Sequence, residues 1–229
     1  MIKESTISLI SRIIMGLSRT GLLFIIANLL GPDSQGVFGF ALTVMTLGAL
    51  LGSAGLEIST IYFIGKNPKK IGSFVFHSML LGGILGLLFG ILTFIAIKIF
   101  PNYFTILPES YKWSIPLAVT FTIISLYFNA ILIGIRDFAW YLLSIIIQYG
   151  TLILLVVLSV INGNLDVKLL MPFWLLTLII SSTIICLKCI VKSKKSLSPL
   201  IFDKELIISQ LIYGKDVYLT NLINWMNFK

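Results

Sequence analysis

Residues 11–66 read SRIIMGLSRTGLLFIIANLLGPDSQGVFGFALTVMTLGALLGSAGLEISTIYFIGK, two apolar runs joined by a Gly-Pro turn. The first run extends from Ile7 to Leu30 and the second from Val37 to Ile64. Each is long enough for the roughly 20 residues a helix needs to cross a bilayer. Both carry charge where lipid tolerates it least, as Arg12 and Arg19 in the first and Glu57 in the second. Two antiparallel membrane helices with a polar seam are the reading that fits, and the rest of the chain repeats the pattern.

Further apolar runs cover 73–99, 114–134, 139–161 and 169–191, and a last one opens near Leu211 and is still running at Lys229. The 229 residues are 58% hydrophobic and 11% charged, with a mean hydropathy of +1.04, whereas soluble domains are about one-quarter charged. The sequence therefore predicts an all-α polytopic membrane protein. Residues 1–191 form a six-helix lobe, 192–210 a basic linker, and 211–229 the start of a seventh helix belonging to a second unit. The last helix breaks off amid polar spacing, so the chain reads as the N-terminal part of a longer protein; the alternative is a complete seven-helix protein with a short last span. The first run lacks the short apolar core and small-residue cleavage site of a removable signal.

Orientation follows from lysine and arginine. With the N-terminus in the cytoplasm, that side holds Lys3, Arg12, Lys66, Lys69, Lys70, Arg136, Lys188, Lys192, Lys194, Lys195, Lys204 and Lys215, against Lys98, Lys112 and Lys168 outside. The net charge of +8 is thus a topology signal rather than a nucleic-acid footprint. Trp113, Trp140 and Trp174 lie near helix starts, where interfacial aromatics belong. The expected location is the cytoplasmic (inner) membrane, crossed several times.

Seven positions apart, Arg12 and Arg19 lie within about 20° of one helix face. Counted from Ile7 they sit about 8 Å and 18 Å along the axis. Arg12 can reach the interface, whereas Arg19 needs a partner or a watery cavity. The stripe reads as an interior path for an anion; structural ion pairing, or a helix that starts later than Ile7, is the plainer reading. Glu57 lies about 10 Å from the end of its run near Ile64, at a depth close to that of Arg12. A structural Arg12–Glu57 pair and a proton- or sodium-coupling carboxylate both fit.

Other signals are architectural or weak. Gly48, Gly52, Ser53 and Gly55 crowd the second run, and Gly82, Gly86 and Gly90 form a small-residue ridge on the third. His77, the only histidine, reads as a packed hydrogen-bonding residue. Cys186 and Cys189 form a single CxxC without the second ligand pair a zinc site wants, so no metal is expected. Asn221, Asn224, Trp225 and Phe228 share one stripe, suited to sugar hydroxyls and ring faces or to interhelical packing. No paired carboxylate, HExxH, GxSxG or phosphate-binding glycine loop is present, so neither an enzyme nor a cofactor is expected.

The 11–66 stretch resembles the opening helix pair of Wzx-type polysaccharide flippases in the MATE-like multidrug/oligosaccharidyl-lipid/polysaccharide exporter superfamily. The resemblance rests on Leu30-Gly31-Pro32, Gly36-Val37-Phe38 and the ending Tyr62-Phe63-Ile64, while YGKDVYLTNLINWMN, 213–227, is similar to the first helix of that family's second lobe. It implies a six-helix lobe, a pseudo-symmetric second lobe with a cationic cavity between them, and alternating access. The cargo it implies is an undecaprenyl-pyrophosphate-linked oligosaccharide, moved from the inner to the outer leaflet. Family-like basic residues map onto Arg12 and Arg19. The expected partners are the lipid-linked oligosaccharide, membrane lipid, and either a second-lobe chain or a second copy. A cation-coupled drug exporter of the same fold would favour acidic and aromatic cavity residues, and a non-transporting assembly factor is the remaining alternative.

Overall fold

The computed structural model describes residues 2–195 and 198–227, with side chains described for 13, 14, 16–195 and 198–220. These residues form eight α-helices and no strand: α1 (Ile2–Leu30), α2 (Pro32–Ser53), α3 (Leu56–Lys66), α4 (Ile71–Ile99), α5 (Glu109–Gly134), α6 (Phe138–Ile161), α7 (Val167–Lys195) and α8 (Lys204–Asn227). Five helical stretches among them are long and apolar enough to cross a membrane, and Gly16–Leu30 is a shorter apolar one. The chain is a multi-pass membrane protein.

The bundle is built around α5, which packs on α2, α3, α4, α6 and α7 and buries Tyr111, Ile115, Val119, Ile123, Tyr127 and Ile131 among others. Its closest neighbour is α4, whose Gly82, Gly86 and Gly90 are buried toward α5 while Ile84, Leu87, Leu88 and Ile91 stand exposed. Small inside and large apolar outside is the polarity of a helix that packs on protein and faces lipid. A Cβ on Gly90 would lie 2.4 Å from Thr120 Oγ1, and Thr120 donates its hydroxyl to the Gly86 carbonyl at 2.9 Å. The ridge expected from the sequence is this crossing.

The second apolar run, expected as one helix over 37–64, is two helices. Ala54 (φ 51) and Gly55 (φ 69) both lie in the left-handed region, which glycine enters freely and alanine at a cost of about 1–2 kcal/mol. Carbonyls opened inside a bilayer need donors, and here they have them. Ser53 O accepts from the Tyr127 hydroxyl at 2.8 Å, Leu50 O from Ser53 Oγ at 3.2 Å, and Leu51 O from the Tyr218 hydroxyl at 3.3 Å.

The stretch 192–210, read as a linker, falls on the last turn of α7, a short connection and the first turns of α8. That connection is pinned at several points. Ser198 Oγ accepts from the Gly72 amide at 2.8 Å, and Lys70 pairs with Asp203 at 2.7 Å. Asp203 also caps α8, taking the Leu206 amide at 3.0 Å. The Lys70 ammonium, and after it the Leu206 N–H, hold the Asp203 carboxyl below the ordinary carboxylate range.

His77 is the hydrogen-bonding residue the sequence suggested. Its Nε2 accepts from the Asp203 amide at 3.2 Å. The neutral ring therefore carries its proton on Nδ1, which donates to Gln210 Oε1 at 2.9 Å. The Gln210 amide nitrogen in turn donates to Thr60 Oγ1 at 2.9 Å, so α3, α4 and α8 meet through one chain of hydrogen bonds.

Candidate functional site

On the face of α5 turned away from α4, Thr122, Ser125 and Asn129 recur at i, i+3 and i+7, a helical stripe of polar groups. Opposite them α6 places Tyr141, Ser144, Gln148 and Tyr149, and α7 places Trp174 and Ser181 at i and i+7. With Met45 of α2 and with Glu57 and Ile61 of α3, these residues line a cavity of about 270 Å3. Part of the wall is internally satisfied: Asn129 Nδ2 donates to Ser125 Oγ at 3.2 Å, and Ser144 Oγ lies 3.2 Å from Asn129 Oδ1.

Three groups are not satisfied. Among the described residues, the buried polar side-chain atoms without a hydrogen-bond partner are Glu57 Oε2, Thr122 Oγ1 and Trp174 Nε1, and all three belong to residues of this wall. Buried polar atoms are normally paired because leaving one unmade costs about 1–3 kcal/mol. Three unpaired polar atoms on residues of one wall set this cavity apart from the rest of the described structure. Glu57 Oε2 is an acceptor, Trp174 Nε1 a donor, and the Thr122 hydroxyl can serve as either. Glu57 Oε1 lies 3.4 Å from Ser53 Oγ, whose single proton has a nearer acceptor in Leu50 O. Glu57 is placed here by the helix break, since it lies in the first turn of α3, two positions after Gly55.

The residues expected from the sequence divide into three groups. Glu57 lines the cavity. Arg19 is exposed on α1 and is not among the residues that line the cavity. The side chains of Arg12, Asn221, Asn224 and Trp225 lie outside the described residues, and with them the Arg12–Glu57 pair and the sugar-binding stripe. Trp174 corrects an expectation: it is 5% exposed, set edge-on against Phe38 and Tyr149, and belongs to the core rather than the interface. Trp140 does lie at a helix end, under the Lys188 ammonium at 4.1 Å. Cys186 and Cys189 are free thiols, Cys189 buried. The polar wall of α5 and α6 was not singled out beforehand; the amides Asn129 and Gln148 inside apolar runs were its available signal.

No known family profile matches the chain, and no curated protein does. Among solved structures, one described as a crystal structure of MATE in complex with Br-NRF superposes on 97% of this chain and 56% of its own, with a TM-score of 0.71 at 20% identity. The chain thus spans a little over half the length of that protein. The likeness is one of fold: the described residues adopt a MATE-like, all-helical membrane architecture.

Proposed function

We propose that the chain is a lobe of a membrane transporter that flips an undecaprenyl-pyrophosphate-linked oligosaccharide from the inner to the outer leaflet by alternating access. A second lobe, supplied by another chain or a second copy, would complete the path. The observation that carries this reading is the exposure of Arg19 in the apolar part of α1. α1 packs on α2 and α6, and an arginine at that depth costs at least about 2.5 kcal/mol if it faces lipid. Its exposed face therefore suits a watery volume closed off by a second lobe, and a guanidinium there suits a pyrophosphate, whose oxygens it can meet in pairs.

Within this reading the Glu57 cavity is the coupling site. About 270 Å3 accommodates a few waters or an ion and excludes a lipid-linked glycan. The cargo would travel along the α1 face while the proton or cation sits inside the lobe. The acidic and aromatic wall of Glu57, Tyr141, Tyr149 and Trp174 favours a second reading, a cation-coupled multidrug exporter of the same fold.

The deciding measurement is export per unit of membrane-inserted protein for two cargoes. The flippase reading expects Arg19→Ala to lose glycan export while insertion is kept, Arg19→Lys to restore it in part, and drug tolerance to be unaffected. Drug efflux that depends on Glu57 but not on Arg19 would replace it with the exporter reading. Orientation is tested separately: cysteines at Lys69 and Lys194 should be shielded from an impermeant reagent in intact cells, and those at Glu109 and Asn164 labelled. The reverse pattern would invert the lobe.

A further inference from the structure

The break between α2 and α3 is supported from both sides. On the inside, Tyr127 of α5 caps the Ser53 carbonyl. On the outside stands α8, from the other end of the chain. There Gly214 lies so close to the break that a Cβ on it would sit 3.1 Å from Ala54 O, and one on Gly55 would sit 2.3 Å from Gly214 O. One turn on, the Tyr218 hydroxyl reaches Leu51 O at 3.3 Å. The same interface is extended by Tyr62 of α3 stacked on Tyr213 of α8, with centroids 4.8 Å apart and planes 6° from parallel.

This contact falls at the most strained backbone in the second span. Were Ala54 and Gly55 to return to right-handed angles, α2 and α3 would join into one helix, and every side chain of α3 would be re-aimed, Glu57 among the first. Glu57 owes its place in the cavity wall to the break, and the break is gripped by a helix that packs on no other element as extensively as it packs on α3.

We propose that Gly214 and Tyr218 of α8 are positioning residues for Glu57: by docking on the Ala54–Gly55 break they keep the α3 N-terminus turned so that the Glu57 carboxyl faces the cavity. When α8 moves away, the break loses its outer support and Glu57 leaves its place. Movement of the helix beyond the connection and presentation of the coupling carboxylate thus become one event. The inference rests on the reading of Glu57 as the coupling group for its consequence, although the placement of Glu57 is measurable without any transport.

The probe is the infrared carbonyl band of the protonated Glu57 carboxyl, isolated as the difference between the chain and its Glu57→Gln variant in lipid bilayers at a pH low enough to show it. In Gly214→Val, whose branched side chain cannot fit against Ala54 O, the band should move to lower frequency as water reaches the carboxyl. Amide exchange at 54–57 should rise about tenfold or more as the break is released. Tyr218→Phe, which removes one hydrogen bond and little else, should shift the band the same way by less. Gly83→Ala, on α4 with nothing within 4 Å of a Cβ, should leave it in place.

An unmoved band in Gly214→Val alongside faster exchange at the break would overturn the proposal, as would an equal shift in Gly83→Ala. If Gly214→Val does not fold, Tyr218→Phe decides, and an unchanged band and exchange there overturn the role of α8. Normal export by Glu57→Gln would remove the coupling reading while leaving the band shifts, and hence the positioning, intact.

Discussion

Thr120 and Thr122 stand two positions apart on α5 and meet opposite fates. Thr120 faces α4, gives its hydroxyl to Gly86 O at 2.9 Å, and fills the space left by the missing side chain of Gly90. Thr122 faces the other way, onto the cavity, where its buried hydroxyl finds no partner. One face of α5 is closed, small-residue packed and answered; the other is roomy, polar and incompletely answered. Folding energetics explain the first face completely and leave the second unexplained, which is where a membrane protein that does something with ions or protons would be expected to carry a cost.

The strongest way to break the comparison is to fill the closed face. Gly90→Leu places atoms where even a Cβ lies 2.4 Å from Thr120 Oγ1 and 2.8 Å from Pro116 O, an overpacking that costs about 1–3 kcal/mol or more. Gly83→Leu, on the same helix with nothing within 4 Å of a Cβ, should change stability by less than about 0.5 kcal/mol. Thermal unfolding in detergent compares them, and equal losses would show that the ridge is not the seam described.

A smaller effect separates the two threonines. Thr120→Val removes a made hydrogen bond and should cost about 1 kcal/mol, whereas Thr122→Val removes an unmade one and should be neutral or stabilising. Equal destabilisation of both would mean that Thr122 is satisfied in solution and the cavity is not a place of unmet bonds.

The smallest effect lies at the end of the bundle, where the connection into α8 is pinned by charge. Because Lys70 and the Leu206 amide hold the Asp203 carboxyl below its ordinary range, the pin contributes fully above that range and is lost as pH falls through the depressed value. Amide exchange at 203–207 should accelerate only below about pH 4. Asp203→Asn should exchange fast at every pH. Acceleration that begins above the carboxylate range would show that the Asp203 carboxyl is not what controls the pin.

Much of this was legible in the sequence. Hydropathy located α4, α5, α6 and α7 to within about a turn and a half, because a bilayer imposes length and apolarity on each helix independently of its neighbours; it joined α2 and α3 into one run and began α8 seven residues late, since its first turns are polar. The glycine spacing on α4 announced a close crossing, and Glu57 stood out because no other carboxylate lies well inside a span. The break at Ala54–Gly55 was hidden, since an apolar run looks continuous whether or not its backbone is; what opens it is Tyr127, far along the chain. The cavity was hidden for the same reason. Thr122, Ser125 and Asn129 have the spacing of any helix face, and only packing against α6 and α7 decides which polar stripe is enclosed. Trp174 was misplaced because nearness to a helix start says nothing about which way the ring turns.

The broken second span also sets an order of events during synthesis. A straight helix from Val37 to Ile64 answers all its own interior backbone groups, whereas the broken form depends on a hydroxyl 74 positions further along the chain. At the roughly 5–20 residues per second of translation, that donor emerges about 4–15 s after Ser53. Until α5 arrives beside it the Ser53 carbonyl lacks that donor, and Leu51 O lacks the Tyr218 hydroxyl until α8 follows. The tyrosine donors to the bend that puts Glu57 in the cavity wall are both made after it, so a defect in α5 that removes the Tyr127 hydroxyl is expected to leave a chain that is inserted, intact in length and unfinished at its centre.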